Sequence, residues 1–254
     1  LVSEMGARGV GHIAWLCAVV PPDVGVVLNV GHAHLGEFGS VEGIAAAKGE
    51  LVEALAPDGW AVLNADDELV RAMAGRTAAR IALFSLVGEP SAGTLRVWAE
   101  NGGADELQRF SFTLRSAGQV QAAEQVTLQG PGRHQVANAL AAATAALALG
   151  LAPHTVAVAL SGAVAQSAWR MQVSTRADGV LLVNDAYNAN PDSMRVALTT
   201  VAGMRRAGGR LVAVLGDMLE LGAAAPLAHE NLGRLAAELG FEVVAIGALA
   251  AEIA

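Results

Sequence analysis

Two periodicities alternate along the chain, and their order predicts the fold. Apolar runs at Val24–Val30, Trp60–Leu63 and Ile81–Phe84 read as buried strands, with helix-spaced stretches at Ser40–Leu55 and Asp66–Ala74 between them. That order predicts a parallel sheet with crossovers. Between Thr94 and Leu128, segments such as Leu95–Trp98 and Phe110–Leu114 alternate apolar and polar positions, which predicts an antiparallel patch added to the sheet. Helices return over Arg133–Leu149 and Pro153–Leu160. After the weakly patterned Ser161–Arg170, a second series runs strand Val180–Val183, helix Pro191–Met204, strand Leu211–Leu215, helix Leu227–Leu239 and strand Glu242–Ile246. The expected class is α/β: a mostly parallel sheet with an antiparallel β patch, then a partial Rossmann-like domain, divided as 1–166 and 167–254 near Gln166. Both ends of the chain read as truncated.

One helix breaks its own pattern. In Ser40–Leu55, Val41, Ile44, Ala47, Leu51, Val52 and Leu55 form an apolar face with Lys48 in its middle, while Glu42, Glu50 and Glu53 lie opposite. Either Lys48 snorkels at the edge of the core, or it is a functional or modified amine held in a site.

Other polar residues collect where strands end. His32 and His34 follow the Val24 strand and point to one side of an extended segment, as metal or phosphate contacts or as structural residues. Glu4 ends an apparent strand, where a carboxylate suits a hard cation such as magnesium or simply faces solvent. His134 and Asn138 lie four residues apart, opposite the apolar face Val136, Leu140, Ala143 and Leu147, so both can reach one ligand. Asn138 has the donor and acceptor groups to read an adenine edge. The turn Asp185-Ala-Tyr187-Asn188-Ala-Asn190 follows another apolar run, at the carboxyl edge where α/β proteins bind ligands.

Composition narrows the classes. With 254 residues, 54% hydrophobic and 16% charged, the chain can bury a large core. A formal net charge of -8 argues against nucleic acid and anionic lipid as partners, though not against a nucleotide. The single cysteine, Cys17, excludes an internal disulfide and a cysteine-based zinc cluster and points to a reducing cytoplasm. No apolar run reaches the ~20 residues of a membrane span, and no signal-peptide pattern opens the chain.

Taken jointly, these motifs resemble the Mur ligase family over nearly the whole chain. The matching segments are Ser-Glu4-Met-Gly, Asn29-Val-Gly-His-Ala-His34-Leu-Gly-Glu-Phe-Gly, Ala-Lys48-Gly-Glu50, Gly132-Arg-His134-Gln-Val-Ala-Asn138 and Asp185-Ala-Tyr-Asn-Ala-Asn190-Pro. With Gly216-Asp-Met-Leu-Glu-Leu-Gly222, the turn looks most like the branch that adds D-alanyl-D-alanine to UDP-N-acetylmuramoyl-tripeptide in peptidoglycan synthesis. The resemblance implies a cytoplasmic enzyme, a monomer when full length, that uses ATP and Mg2+ to form an acyl phosphate attacked by an amine. It places Glu4 and His34 on magnesium and Lys48, as a carbamate, beside a second magnesium. His134 and Asn138 fall at the adenine region, while Arg170 and Asp185 contact the nucleotide after closure. Tyr187, Asn188 and Asn190 shape the same loop.

The chain also departs from the family. The glycine-rich loop ending in Gly-Lys-Ser/Thr is absent from the 254 residues, so this stretch should not turn over ATP by itself. Trp169 stands where glycine is common before the linker arginine, and Gln135 replaces a frequent asparagine. Two other readings compete with the ligase: another member of the superfamily, such as a folate-polyglutamylating enzyme, and a non-catalytic nucleotide-binding module.

Overall fold

The computed structural model describes residues 1–31, 38 and 40–253. Six strands form one sheet in chain order: β1 (Val24–Val27), β2 (Trp60–Asn64), β3 (Arg80–Ser85), β4 (Leu95–Ala104), β5 (Arg109–Gly118) and β6 (Ala122–Pro131). The first four run parallel, and β5 and β6 each pair antiparallel with the strand before them, so the expected patch continues the sheet as a long meander. Strand β2 is buried on both faces, as a parallel strand covered by helices requires. Its Trp60 and Val62 pack under α4 (His134–Ala148) and α5 (Pro153–Gly162). Ala61 and Leu63 pack on the other side, under α2 (Val41–Glu53) and α3 (Glu68–Ala72).

Several expectations change. An eight-residue helix, α1 (His12–Val19), precedes β1 and carries no amphipathic signal, since Trp15 and Val19 are exposed along with its polar start. Asp67 caps α3 by accepting from the Val70 amide, and a 3-10 turn, Met73–Arg76, finishes the predicted Asp66–Ala74 helix. Residues 1–7 have no regular structure, so Glu4 does not end a strand.

The second series also differs. Strand β8 (Leu181–Asn184) pairs antiparallel with β7 (Gln172–Thr175), while β9 (Leu211–Gly216) pairs parallel with β10 (Phe241–Ile246). Two small sheets replace the expected three-stranded one. Strand β7 escaped notice because Gln172-Val-Ser-Thr175 holds one apolar residue and is mostly exposed. Helices α6 (Pro191–Gly203) and α7 (Ala225–Glu238) pack with β9 and β10 around Leu198, Ala213, Met218, Leu232 and Ala236. His229 is fully buried there, its Nε2 accepting from the Met218 amide at 2.9 Å while Nδ1 meets the Ala225 carbonyl at 2.7 Å. The two series touch where Gln108 Nε2 donates to the Gly203 carbonyl at 3.0 Å.

Candidate functional site

The chain leaving β1 and the starts of α4 and α6 border one cavity of about 1160 Å³, with Lys48 of α2 in its wall. The β1 edge is pinned residue by residue. Asn64 Nδ2 donates to the Leu28 carbonyl at 2.9 Å, Lys48 Nζ to the Asn29 carbonyl at 2.7 Å, and the Val30 amide to Asp67 Oδ2 at 2.7 Å. Side chains thus take backbone groups that a sheet neighbour would use, and the strand ends at Val27 instead of Val30.

Three adjacent residues of α2 do three different things. Lys48 faces the cavity half-buried, and desolvation lowers the pKa of its amine below 10.5, with the Asp67 carboxylate opposing part of that shift. Gly49 lies under the Arg76 guanidinium, which donates to the Ala45 and Ala46 carbonyls at 3.2 and 3.0 Å and bonds Glu53. Glu50 is buried rather than on the polar face, and its carboxylate accepts from the Gly11 and Ala14 amides. Helical spacing marked Lys48 but could not show that a second helix covers Glu50.

At the start of α4, His134 and Asn138 both border the cavity, and Asn138 is exposed. Desolvation lowers the His134 pKa below 6.5, opposed by the Asp185 carboxylate. Its Nδ1 is buried and has no hydrogen-bond partner among the described residues. Such an atom is rare in a folded chain and marks a place for a ligand group or water.

Asp185 enters the cavity from the end of β8, one carboxylate oxygen accepting from the Met171 amide at 2.8 Å. The Tyr187 amide donates to the Trp169 carbonyl at 3.1 Å, and the Arg170 guanidinium lies 4.0 Å from the Tyr187 ring centre. Asn190 caps α6 through a reciprocal box with Ser193 while also bordering the cavity. Tyr187 and Asn188 lie outside the lining, and Asn188 turns its Oδ1 to the Ala189 amide. Glu4 borders the cavity on an exposed, irregular stretch. His32 and His34 lie outside the described residues. Among the described residues no three His, Cys, Asp or Glu side chains form a metal-sized group. Sequence reasoning missed Arg8, His12 and Asp192, which also line the cavity and belong to no periodic pattern. No helix among the described residues is long and apolar enough to cross a membrane.

Comparison with known proteins gives two family matches, the Mur ligase middle domain over residues 1–146 and the Mur ligase glutamate ligase domain over residues 169–254. The UDP-N-acetylmuramoyl-tripeptide–D-alanyl-D-alanine ligase of Mycobacterium tuberculosis is 50% identical over 242 residues, covering 94% of this chain and 46% of that protein. The crystal structure of MurF from Acinetobacter baumannii superposes with a TM-score of 0.86 at 34% identity, over 99% of this chain and 52% of that one. The MurF ligase of Thermotoga maritima, solved in complex with ADP, gives 0.81 at 28% identity, over 98% and 55%. The chain spans about half the length of these relatives.

Proposed function

The chain belongs to the Mur ligase family, and we propose that the whole protein is an ATP-dependent ligase joining D-alanyl-D-alanine to UDP-N-acetylmuramoyl-tripeptide. The observation that carries this reading is the shared cavity. Lys48 and His134 reach it from the large-sheet unit and Asp185 from the second unit, which we take to divide at residues 166 and 167. The dipeptide branch is supported by the activity for which the relatives are named and by the Asp185–Asn190 turn.

The residues present suit a magnesium nucleotide. His134 offers a buried ring nitrogen with no partner among the described residues, Asn138 an exposed amide four residues on, and Glu4 a carboxylate that lines the same cavity. Desolvation favours the neutral Lys48 amine, the form that reacts with carbon dioxide, so a carbamate would turn this position into an anionic ligand. Glu4 and His34 would hold one magnesium, and modified Lys48 would support a second. Bound there, the metal offsets phosphate repulsion and stabilises charge developing during phosphoryl transfer. Transfer of the γ-phosphoryl group to the tripeptide carboxylate releases ADP, and attack by the dipeptide amine then expels phosphate. Asp185 and Arg170 act from the second unit, where their segments are tied together at Met171 and Tyr187 and help close the cavity against water. The protein works in the cytoplasm, where these soluble substrates are met.

Phosphate release by the full-length protein tests the proposal. Release is expected only with ATP, UDP-N-acetylmuramoyl-tripeptide and D-alanyl-D-alanine together. Release with glutamate and a folate in place of the tripeptide and dipeptide overturns it.

A further inference from the structure

We infer that Glu50 is a positioning residue that docks the segment carrying Glu4 onto the helix carrying Lys48. One wall of the cavity comes from residues 4–13, of which the first stretch has no regular structure. Something else must hold that wall. Helix α1 follows Gly11 at its N-cap, without a side-chain cap of its own and with no acidic residue in its first turn. Glu50 supplies both from another element: one carboxylate oxygen accepts from the Gly11 amide and the other from the Ala14 amide at 2.9 Å. A carboxylate at a helix N-terminus satisfies orphan amides and meets the positive end of the helix dipole.

The spacing on α2 makes the linkage direct. At 100° per residue, side chains two apart point to nearly opposite sides, so Lys48 faces the cavity while Glu50 faces α1. Glu50 is 7% exposed, and both of its oxygens are engaged by α1. A second, weaker tether lies nearby, where Cys17 Sγ of α1 approaches Met5 Sδ at 3.8 Å. The Lys-Gly-Glu run therefore couples two walls of the cavity through one turn of helix. The consequence for nucleotide affinity rests on the proposed ligase activity; the docking itself does not.

The test uses Glu50→Gln, which removes the charge, and Glu50→Asp, which keeps it on a shorter stem, in the full-length protein. Val52→Ala, a buried change on the same helix, is the reference for general destabilisation. Hydrogen exchange at the Gly11 and Ala14 amides should quicken about tenfold in Glu50→Gln, and less in Glu50→Asp, with the sheet unchanged. In kinetics, KM for the magnesium nucleotide should rise about tenfold while kcat moves less than about threefold. Unchanged exchange at Gly11 and Ala14, or an increase matching that of Val52→Ala throughout the sheet, overturns the inference. Local exchange with unaltered KM overturns the link to nucleotide binding. Absence of ligase turnover in the unmutated protein would instead count against the proposed function, leaving exchange to decide the docking.

Discussion

The guanidinium of Arg76 occupies the volume that a Cβ on Gly49 would fill, and from there it donates to the Ala45 and Ala46 carbonyls. An alanine at 49 would push the guanidinium off these carbonyls, a loss set against the helix-propensity advantage alanine would bring. Gly49→Ala should cost about 1–3 kcal/mol in urea denaturation. Paired with Arg76→Ala it should cost clearly less than the sum of the two single changes, because both disrupt one contact. Additive losses would show that the contact does not matter.

Trp169 adopts φ +63, a left-handed conformation in which glycine is unstrained and a bulky side chain is not. It is also 55% exposed, so little packing is lost on its removal. Trp169→Gly is expected to leave stability within about 1 kcal/mol of the parent, relief of strain offsetting the added freedom of the unfolded chain. Trp169→Val, β-branched at the same φ, should lose about 1–2 kcal/mol. Equal losses for both would remove backbone strain as the cause.

The His134 pKa is depressed in the folded state, chiefly by desolvation, from 6.5. Between the folded value and 6.5 the unfolded chain binds more protons, so stability rises with pH across that window. The contribution is complete above the unfolded value and is lost as pH falls through the folded one. Urea midpoints taken at pH ~7.5 and ~5 should therefore separate more for the parent than for His134→Phe, which cannot titrate. Equal separations would mean that His134 is solvated in the folded chain.

The fold was legible where a periodic pattern met a buried face. Trp60–Leu63, Val136–Leu147 and the alternation in β5 each satisfy one local rule and one packing surface. Legibility failed where a partner distant in sequence decided the outcome. Glu50 resembles a solvated glutamate until α1 is laid over it, and Val30 resembles strand until Asp67 takes its amide. In the site, Lys48 stood out because it violates its own helix, whereas Asp192 and His12 break no pattern and became visible only as neighbours across the cavity.

Lys48 also bears on the balance between stability and activity. Its amine is held where desolvation disfavours the charge, and as pH rises toward 10.5 that cost disappears. Lys48→Met keeps the length and apolar character of the side chain while removing the charge. Ligase turnover should vanish, while stability at neutral pH stays level or rises by about 0.5–1 kcal/mol, as expected where a site is maintained against stability. A marked stability loss would identify the bond to Asn29 as the main role of Lys48.

The bond from Gln108 to the Gly203 carbonyl joins the sheet unit to the last turn of α6. Its acceptor belongs to the backbone, and its donor is a side chain seated against a residue that has none. Evolutionary drift in the amino acids around this junction leaves the carbonyl in place, whereas a one-residue insertion in α6 would rotate it by about 100° away from Gln108. The junction thus polices the length of that helix far more strictly than its composition, and insertions among homologues should collect elsewhere in the second unit.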